Sequence, residues 1–351
     1  MTDGCKILII FSIFWGWGCT TKESVPVRIL WEESHPVGLI IQKEDASGIY
    51  VIGQKVSSDL HILGKLSQEG PEVHFQPLID LSFNQTYYVF DDEGFFGSVL
   101  VPIPDGIEPP QLIAIYPSSD SLPQNLLKIY LLFSKPIPES SVRSVDKVKI
   151  LFNDSSLNAP FLDLKPELWN ADRTMLTLWL DPGRIKTGLI PNKKLGLPLK
   201  SGKHELIISD EWADMFGLTL TDGFRKIFIS GEIDRCKPRI SNWTLRVPSA
   251  RSREPLEIHF DEPIDFATAL EGIEIFDQTV PVTGLFMLSD HESTGLFRPD
   301  ENWNAGKYRI KIASRIEDLS GNNLNRLFEE DILSNTEGPQ YYWMEFEINL
   351  N

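Results

Sequence analysis

Reactive chemistry needs carboxylates, imidazoles, thiols or hydroxyls set close together, and this chain concentrates carboxylates in three places. They are Asp91-Asp92-Glu93, Asp261-Glu262 with Asp265, and Glu329-Glu330-Asp331. Carboxylate pairs serve glycoside hydrolysis at set separations across a cleft, and oxygen-rich loops bind calcium. None of the three has EF-hand spacing, so solvated charge or turn chemistry is the default reading. Asp214 and Asp318 each precede a glycine by three residues. There an aspartate caps its own backbone while glycine takes a positive φ. The histidines are His35, His61, His74, His204, His259 and His291, and no two stand two to four residues apart. His204 and His259 read as ordinary strand residues. No zinc, nucleophile-elbow or phosphate-loop motif occurs. Catalytic residues, metal and cofactor are therefore all assigned as none. Three tryptophans lie between polar neighbours: Trp169 in Glu-Leu-Trp-Asn-Ala-Asp, Trp212 in Asp-Glu-Trp-Ala-Asp, and Trp303 in Asp-Glu-Asn-Trp-Asn-Ala-Gly. Exposed rings stack on sugars, which makes Trp169, Trp212 and Trp303 candidate ligand-binding residues. The alternative for all three is packing in a core.

The elements that must position these residues are short and alternate in polarity. Residues 25–31, 48–52, 86–90, 127–133, 148–152, 175–180, 204–208, 256–260, 308–312 and 344–348 are β-rich with period two. Pro, Gly, Asn, Asp and Ser bound them. Helical periodicity is weak, with room for short turns near 140–144 and 266–270. Many short strands with frequent turns predict an all-β chain of tandem Ig-like or fibronectin-III-like β-sandwiches. The 351 residues, 42% of them hydrophobic, suffice for about three such domains. A net charge of −17 excludes non-specific nucleic-acid binding, which needs a basic face.

An internal repeat divides the chain. Gly202-Lys203-His204 leads to Asp214-Met-Phe-Gly217-Leu-Thr-Leu220, and Gly306-Lys307-Tyr308 leads to Asp318-Leu-Ser-Gly321-Asn-Asn-Leu324, with equal offsets. Upstream in each copy a strand runs into Pro-Ile, at Pro136-Ile137 and at Pro263-Ile264. Leu131-Leu-Phe133-Ser134-Lys135-Pro136-Ile137, Gly306-Lys307-Tyr308 and the Asp318–Leu324 turn resemble the bacterial Ig-like domain of the surface-layer-protein type. That resemblance covers roughly residues 109–349. It implies two Ig-like domains, 109–232 and 237–349, and says little about ligands. Residues 25–106 lack the closing turn and read as a further sandwich-like domain. Residues 181–201 read as a long loop, functional or mobile.

The address lies at the start. Lys6 precedes an apolar run, residues 7–18. Twelve helical residues span about 18 Å, short of a bilayer core of about 30 Å, and fit a secretory leader. Gly16-Trp17-Gly18-Cys19 resembles the bacterial lipoprotein signal. That implies a signal peptide over 1–18, lipid on Cys19 and a lipidated tether over 19–24. With Cys5 removed and Cys19 acylated, Cys236 is left without an intramolecular partner. Thr20 is not the Asp that resembles inner-membrane retention, which tilts the address to the outer membrane and leaves its face open. The expectation is a non-enzymatic cell-envelope lipoprotein acting as scaffold, spacer or adhesion and binding module. It would meet the membrane through Cys19 and an envelope protein or glycan through its sandwiches, with no nucleic-acid partner. Glycan binding through the loop tryptophans is the alternative, and an envelope enzyme with an unrecognised cleft is a third reading.

Overall fold

The computed structural model describes residues 26–53, 61–140, 142–330 and 338–350. The leader, Cys19, the tether and Asp331 lie outside the described residues. The chain divides into two compact units, one up to Pro104 and one from Asp105 onward. Both are built from antiparallel strands, except that Ser121–Leu122 pairs parallel with Phe224–Ser230, so the tandem β-sandwich fold expected from period-two patterning is the fold observed. No helix among the described residues is long and apolar enough to cross a membrane.

In the first unit, Val27–Glu32, His35–Ile41, Glu72–Pro77 and Gly64–Glu69 form one sheet. Tyr50–Ile52, Thr86–Asp91 and Gly94–Leu100 form the other. Alternation along His35–Ile41 and Thr86–Asp91 turns Leu39, Ile41, Tyr87 and Val89 inward, onto Val51, Val73 and Phe75. The Tyr87 hydroxyl accepts a 2.7 Å hydrogen bond from the Ser82 backbone N–H. It fixes the chain just before its strand, as a tyrosine corner does.

The second unit holds two sandwiches. In the first of them, Leu168–Trp169, Met175–Trp179, Lys128–Phe133 and Leu112–Tyr116 face a sheet of Ser155–Ser156, Val148–Phe152, Gly202–Ile208, Phe224–Ser230 and Ser121–Leu122. In the second, Thr244–Arg246, Leu256–His259, Thr294–Pro299 and Gly284–Ser289 face Val280–Pro281, Ile273–Asp277, Gly306–Ala313 and Tyr341–Ile348. Each has its own apolar core. Ile150, Leu206 and Phe228 belong to one, and Ile275, Ile310 and Phe346 to the other. In the last sandwich the Tyr308 hydroxyl donates to the Asn304 carbonyl at 3.1 Å. His204, at the matching strand position, is buried between Phe152 and Phe228 and lies 3.1 Å from the Gly202 carbonyl.

The segment 181–201 departs from the expected open loop. It folds into two short helices, Pro182–Ile185 and Ile190–Leu195, each with proline in its first turn, where the missing N–H costs nothing. Asp181 caps the first by accepting from the Gly183 N–H at 2.8 Å. Buried Arg184 holds the segment down, donating to the carbonyls of Gly196, Leu197, Asn158 and Ala159 at 2.8–3.3 Å. A buried guanidinium is tolerable when most of its donors are spent in this way. Replacing Arg184 with Ala should free the segment. Trypsin cleavage at Lys193 and Lys194 should then accelerate by about tenfold or more, the equivalent of ~1.4 kcal/mol of opening free energy.

Candidate functional site

The densest polar chemistry lies where the two sandwiches of the second unit meet. Lys128–Phe133 is a strand buried on both sides. Ile129, Leu131 and Phe133 face its own core, whereas Lys128 and Tyr130 face the neighbouring sandwich. The Lys128 ammonium donates to Glu317 Oε2 at 2.6 Å and lies 3.6 Å from Asp265 Oδ1. The Tyr130 hydroxyl donates to both Asp265 oxygens, at 2.8 and 3.0 Å. Asp265 also caps the helix Phe266–Gly272 by accepting from the Thr268 N–H at 3.0 Å. That helix presents Phe266, whose ring stacks on Tyr116 at 3.8 Å. Burial, and then the facing Asp265 charge, hold the Tyr130 hydroxyl protonated far above its ordinary range. Burial also pushes the Glu317 carboxyl up, while Lys128 pulls it back.

Beside this network the closing turn brings three carboxylates together. Asp234, Glu262 and Asp318 place oxygens within 4.8 Å of one another. Asp318 is 2% exposed. Its Oδ1 accepts from the backbone N–H groups of Ser320 at 2.7 Å and Asn322 at 3.0 Å, and its Oδ2 from the Asn322 amide at 2.8 Å. Asp234 is fixed through its backbone by Asn125, in both directions, at 2.8 and 2.9 Å. Burial first, and then the charges of Asp318, Asp234 and Asp261, push the Glu262 carboxyl from 4.5 up to about 8. Burial also pushes Asp318 up to about 7; its Asn322 donors oppose the shift and Asp234 adds to it. Three such groups cannot all be charged at this range without relief. A proton on Glu262 supplies it, and the all-oxygen donor set also suits a hard divalent cation.

The sequence-predicted residues fall elsewhere. Trp212 is 1% exposed, 5.1 Å from Phe133, with Lys147 over its ring. Trp303 is 2% exposed, and its indole N–H donates to the Glu254 carbonyl at 2.8 Å. Trp169 is half-buried, edge-on to Trp212, and covered by the Arg173 guanidinium at 5.0 Å. Of the two readings of Trp169, Trp212 and Trp303, the exposed ligand platform is corrected and core packing holds for Trp212 and Trp303. Two rings are core, and the third is roofed by a cation. Of the carboxylate clusters, Asp91 takes Lys43 at 2.6 Å, Asp261 accepts from the Trp243 indole at 3.0 Å, and Glu329 accepts from Thr187 at 2.8 Å. Asp265 and Glu262 have the roles above. Asp234, which joins them, lies between the two expected Ig-like domains, 109–232 and 237–349. The Asp-Arg-Cys-Lys-Pro stretch carries no signal of its own for a ligand. Ser118 Oγ lies 3.3 Å from His291 Nδ1, but the adjacent Glu292 carboxylate binds the Ser118 backbone N–H at 3.0 and 3.2 Å. It therefore does not orient the imidazole as a triad would require.

Residues 245–334 match the family model of the bacterial Ig-like domain, so the last sandwich is an Ig-like domain. No curated protein matches the chain. Among solved structures the chain is similar to native α-2-macroglobulin from Escherichia coli, spanning domains MG0-NIE-MG1. Identity there is 13%, over 57% of this chain and 65% of that one, with a TM-score of 0.22. It is also similar to the FN1-FN3 domains of chicken CNTN1, at 11% identity over 84% and 93% of the chains and a TM-score of 0.18. A third is SGBP-B of a Bacteroides ovatus mixed-linkage glucan utilization locus, in complex with a mixed-linkage heptasaccharide. That likeness has 15% identity over 90% and 65% of the chains and a TM-score of 0.18. Likeness at this level speaks to neither ligand nor activity.

Two outcomes follow from the junction. Tyr130→Phe leaves the buried Asp265 short of a donor and should lower stability by about 1–3 kcal/mol, read as a lower urea midpoint at unchanged slope. A native state that holds the extra proton on Glu262 is favoured at low pH. That stability is complete below about 4.5 and is lost as pH climbs through about 8. With a chelator present, raising pH from about 5 to about 8.5 should cost wild type on the order of 2 kcal/mol more than Glu262→Gln, solvent screening of this part-exposed group halving the ~4 kcal/mol that the shift implies. Equal pH profiles would refute it.

Proposed function

We propose that this chain is a non-enzymatic cell-envelope lipoprotein that acts as a scaffold, spacer or binding module. The observation that carries the reading is the junction. Two sandwiches locked by Lys128, Tyr130, Asp265, Glu317 and the Phe266–Tyr116 stack make a stiff element, not two beads on a linker. Stiffness serves a spacer, because it fixes the distance between what is held at either end.

In this reading residues 1–18 direct export, Cys19 carries lipid, and 19–24 tether a sandwich over 25–106. Several acyl chains on one cysteine anchor stably where a single chain does not. Residues 109–232 are a second bacterial Ig-like domain of the surface-layer type. Support comes from the two closing turns. Asp214 Oδ1 accepts from the N–H groups of Phe216 and Leu218 at 2.8 and 3.1 Å, the pattern Asp318 makes with Ser320 and Asn322. Gly217 and Gly321 both take positive φ, 74° and 82°. The anchor sits in the outer membrane.

The test is fractionation of cells carrying a C-terminally tagged copy. Wild type should pellet with membranes and incorporate labelled fatty acid, and Cys19→Ala should do neither. A Cys19→Ala protein that still pellets and takes label would end the lipoprotein reading. Protease shaving of intact cells, with a lysed control, then assigns the face. Loss of the tag from intact cells means the surface, and survival until lysis means the periplasm.

A further inference from the structure

The outward face of the last sheet is not the plain polar surface of a solvated sandwich. Along Tyr341–Ile348, Tyr342, Met344, Phe346 and Ile348 pack on the core, while Tyr341, Trp343, Glu345 and Glu347 point outward. Tyr341 is 45% exposed and Trp343 47%. The neighbouring strand sets Lys307, Arg309 and Lys311 outward, and the next contributes Glu274 and Phe276. Register places Trp343 beside Lys311, Glu345 beside Arg309, and Glu347 beside Lys307.

The rings are held in place. The Arg309 guanidinium lies 4.8 Å from the Trp343 ring centre, and Phe276 meets that ring edge-on at 5.9 Å. Lys311 lies 4.2 Å from the Tyr341 ring centre and pairs with Glu274 at 2.8 Å. Further along the same strands, Lys307, Arg309, Glu345 and Glu347, with Gln278 and Thr279 from the turn after Asp277, line a groove of about 580 Å³. That volume lies within the range of small-ligand sites.

Three features select the ligand. Exposed rings on a rigid sheet offer flat apolar area at little entropic cost. The groove interleaves donors with acceptors, which suits groups that both donate and accept, as hydroxyls do. The outward charges cancel, Lys307, Arg309 and Lys311 against Glu274, Glu345 and Glu347, on a chain whose net charge is −17. An anionic ligand would need surplus cations here, and a basic partner would find more acidic ground elsewhere. Charges set between the rings also differ from the charge-depleted centre of a protein–protein interface.

We propose that this face binds an uncharged polysaccharide, with Trp343 and Tyr341 stacking on sugar rings and the groove side chains bonding hydroxyls. The run from Tyr341 to Glu347 extends about 20 Å, which suits a chain of sugars better than a single one. The inference goes beyond the scaffold reading, and neither depends on the other.

The test is affinity electrophoresis of the detergent-solubilised full chain in native gels. The gels contain soluble neutral polysaccharides (a β-glucan, an α-glucan, a xylan and a galactomannan) or charged polygalacturonate. At least one neutral polymer should retard wild type. Trp343→Ala with Tyr341→Ala should weaken that binding at least tenfold, and Trp343→Phe should weaken it less than Trp343→Ala. Ile227→Ala, an exposed apolar site on another sheet, should leave it unchanged. Thermal melts establish that each variant is folded. The proposal fails if no neutral polymer retards wild type or if the double variant is retarded equally. It also fails if only polygalacturonate binds, or if this face instead captures a protein that the neutral polymers do not displace.

Discussion

The contact between the two sandwiches of the second unit buries a lysine ammonium, that of Lys128. Removing it from water costs several kcal/mol unless its hydrogen bonds are replaced. Glu317 and Asp265 replace them, and both belong to the next sandwich. The position of one sandwich on the other is thereby tied to the geometry of a single ion pair. Apolar contacts alone would tolerate a sliding interface. A charge-assisted hydrogen bond of 2.6 Å does not. Tyr130 adds direction because its hydroxyl must reach the same Asp265 that caps the helix carrying Phe266.

The closing turn of the last sandwich shows how one loop meets several demands at once. Asp318 satisfies backbone N–H groups that the tight turn leaves without strand partners. Leu319 then enters the core of the preceding sandwich, and its carbonyl accepts from the Leu127 N–H at 2.9 Å. Gly321 sits at φ 82°, where a side chain would both strain the backbone and meet Leu127. The accumulation of Asp234, Glu262 and Asp318 follows from this packing. The linker, a strand end and the turn all converge on the same small volume, and each arrives with a carboxylate.

Much of the fold was legible because antiparallel sandwiches write period two into the chain. Segments such as 148–152 and 308–312 alternate cleanly and lie within observed strands. His35–Ile41 was not read as a strand, since Pro36 and Gly38 look like punctuation. Gly64–Glu69 is nearly all polar because it is an exposed edge. The junction also left a trace. Leu-Leu-Lys-Ile-Tyr-Leu-Leu-Phe is apolar on both faces, which a one-sided antiparallel strand need not be; the second face is covered by the next sandwich. The tryptophans left two readings open, core and ligand platform, for a physical reason. Polar neighbours on the chain describe the loop, and Asp210 and Glu211 are indeed exposed, but the ring of Trp212, which follows them, is buried. The carboxylate triad could not be read at all, because its members come from three separated stretches that only tertiary packing brings together.

Two sets of aromatic side chains in this protein have different physical causes. Trp212, Trp243 and Trp303 fill sandwich interiors, where their area stabilises a fold that gains nothing from disulfides among the described residues. Trp343 and Tyr341 do no such work, since removing them would open no cavity. Nor does the junction need them, because it uses the helix Phe266–Gly272, the Asp318 turn and the loop at Glu292, not the sheet that carries Tyr341–Ile348. Packing therefore leaves their exposure unexplained, and so does alternation, which asks only for something polar at those positions. Large rings kept at a surface, braced by Arg309 and Phe276 and set in a charge-balanced row, cost apolar hydration at every moment the protein is unliganded. The simplest physical account of such a cost is a ligand that removes it.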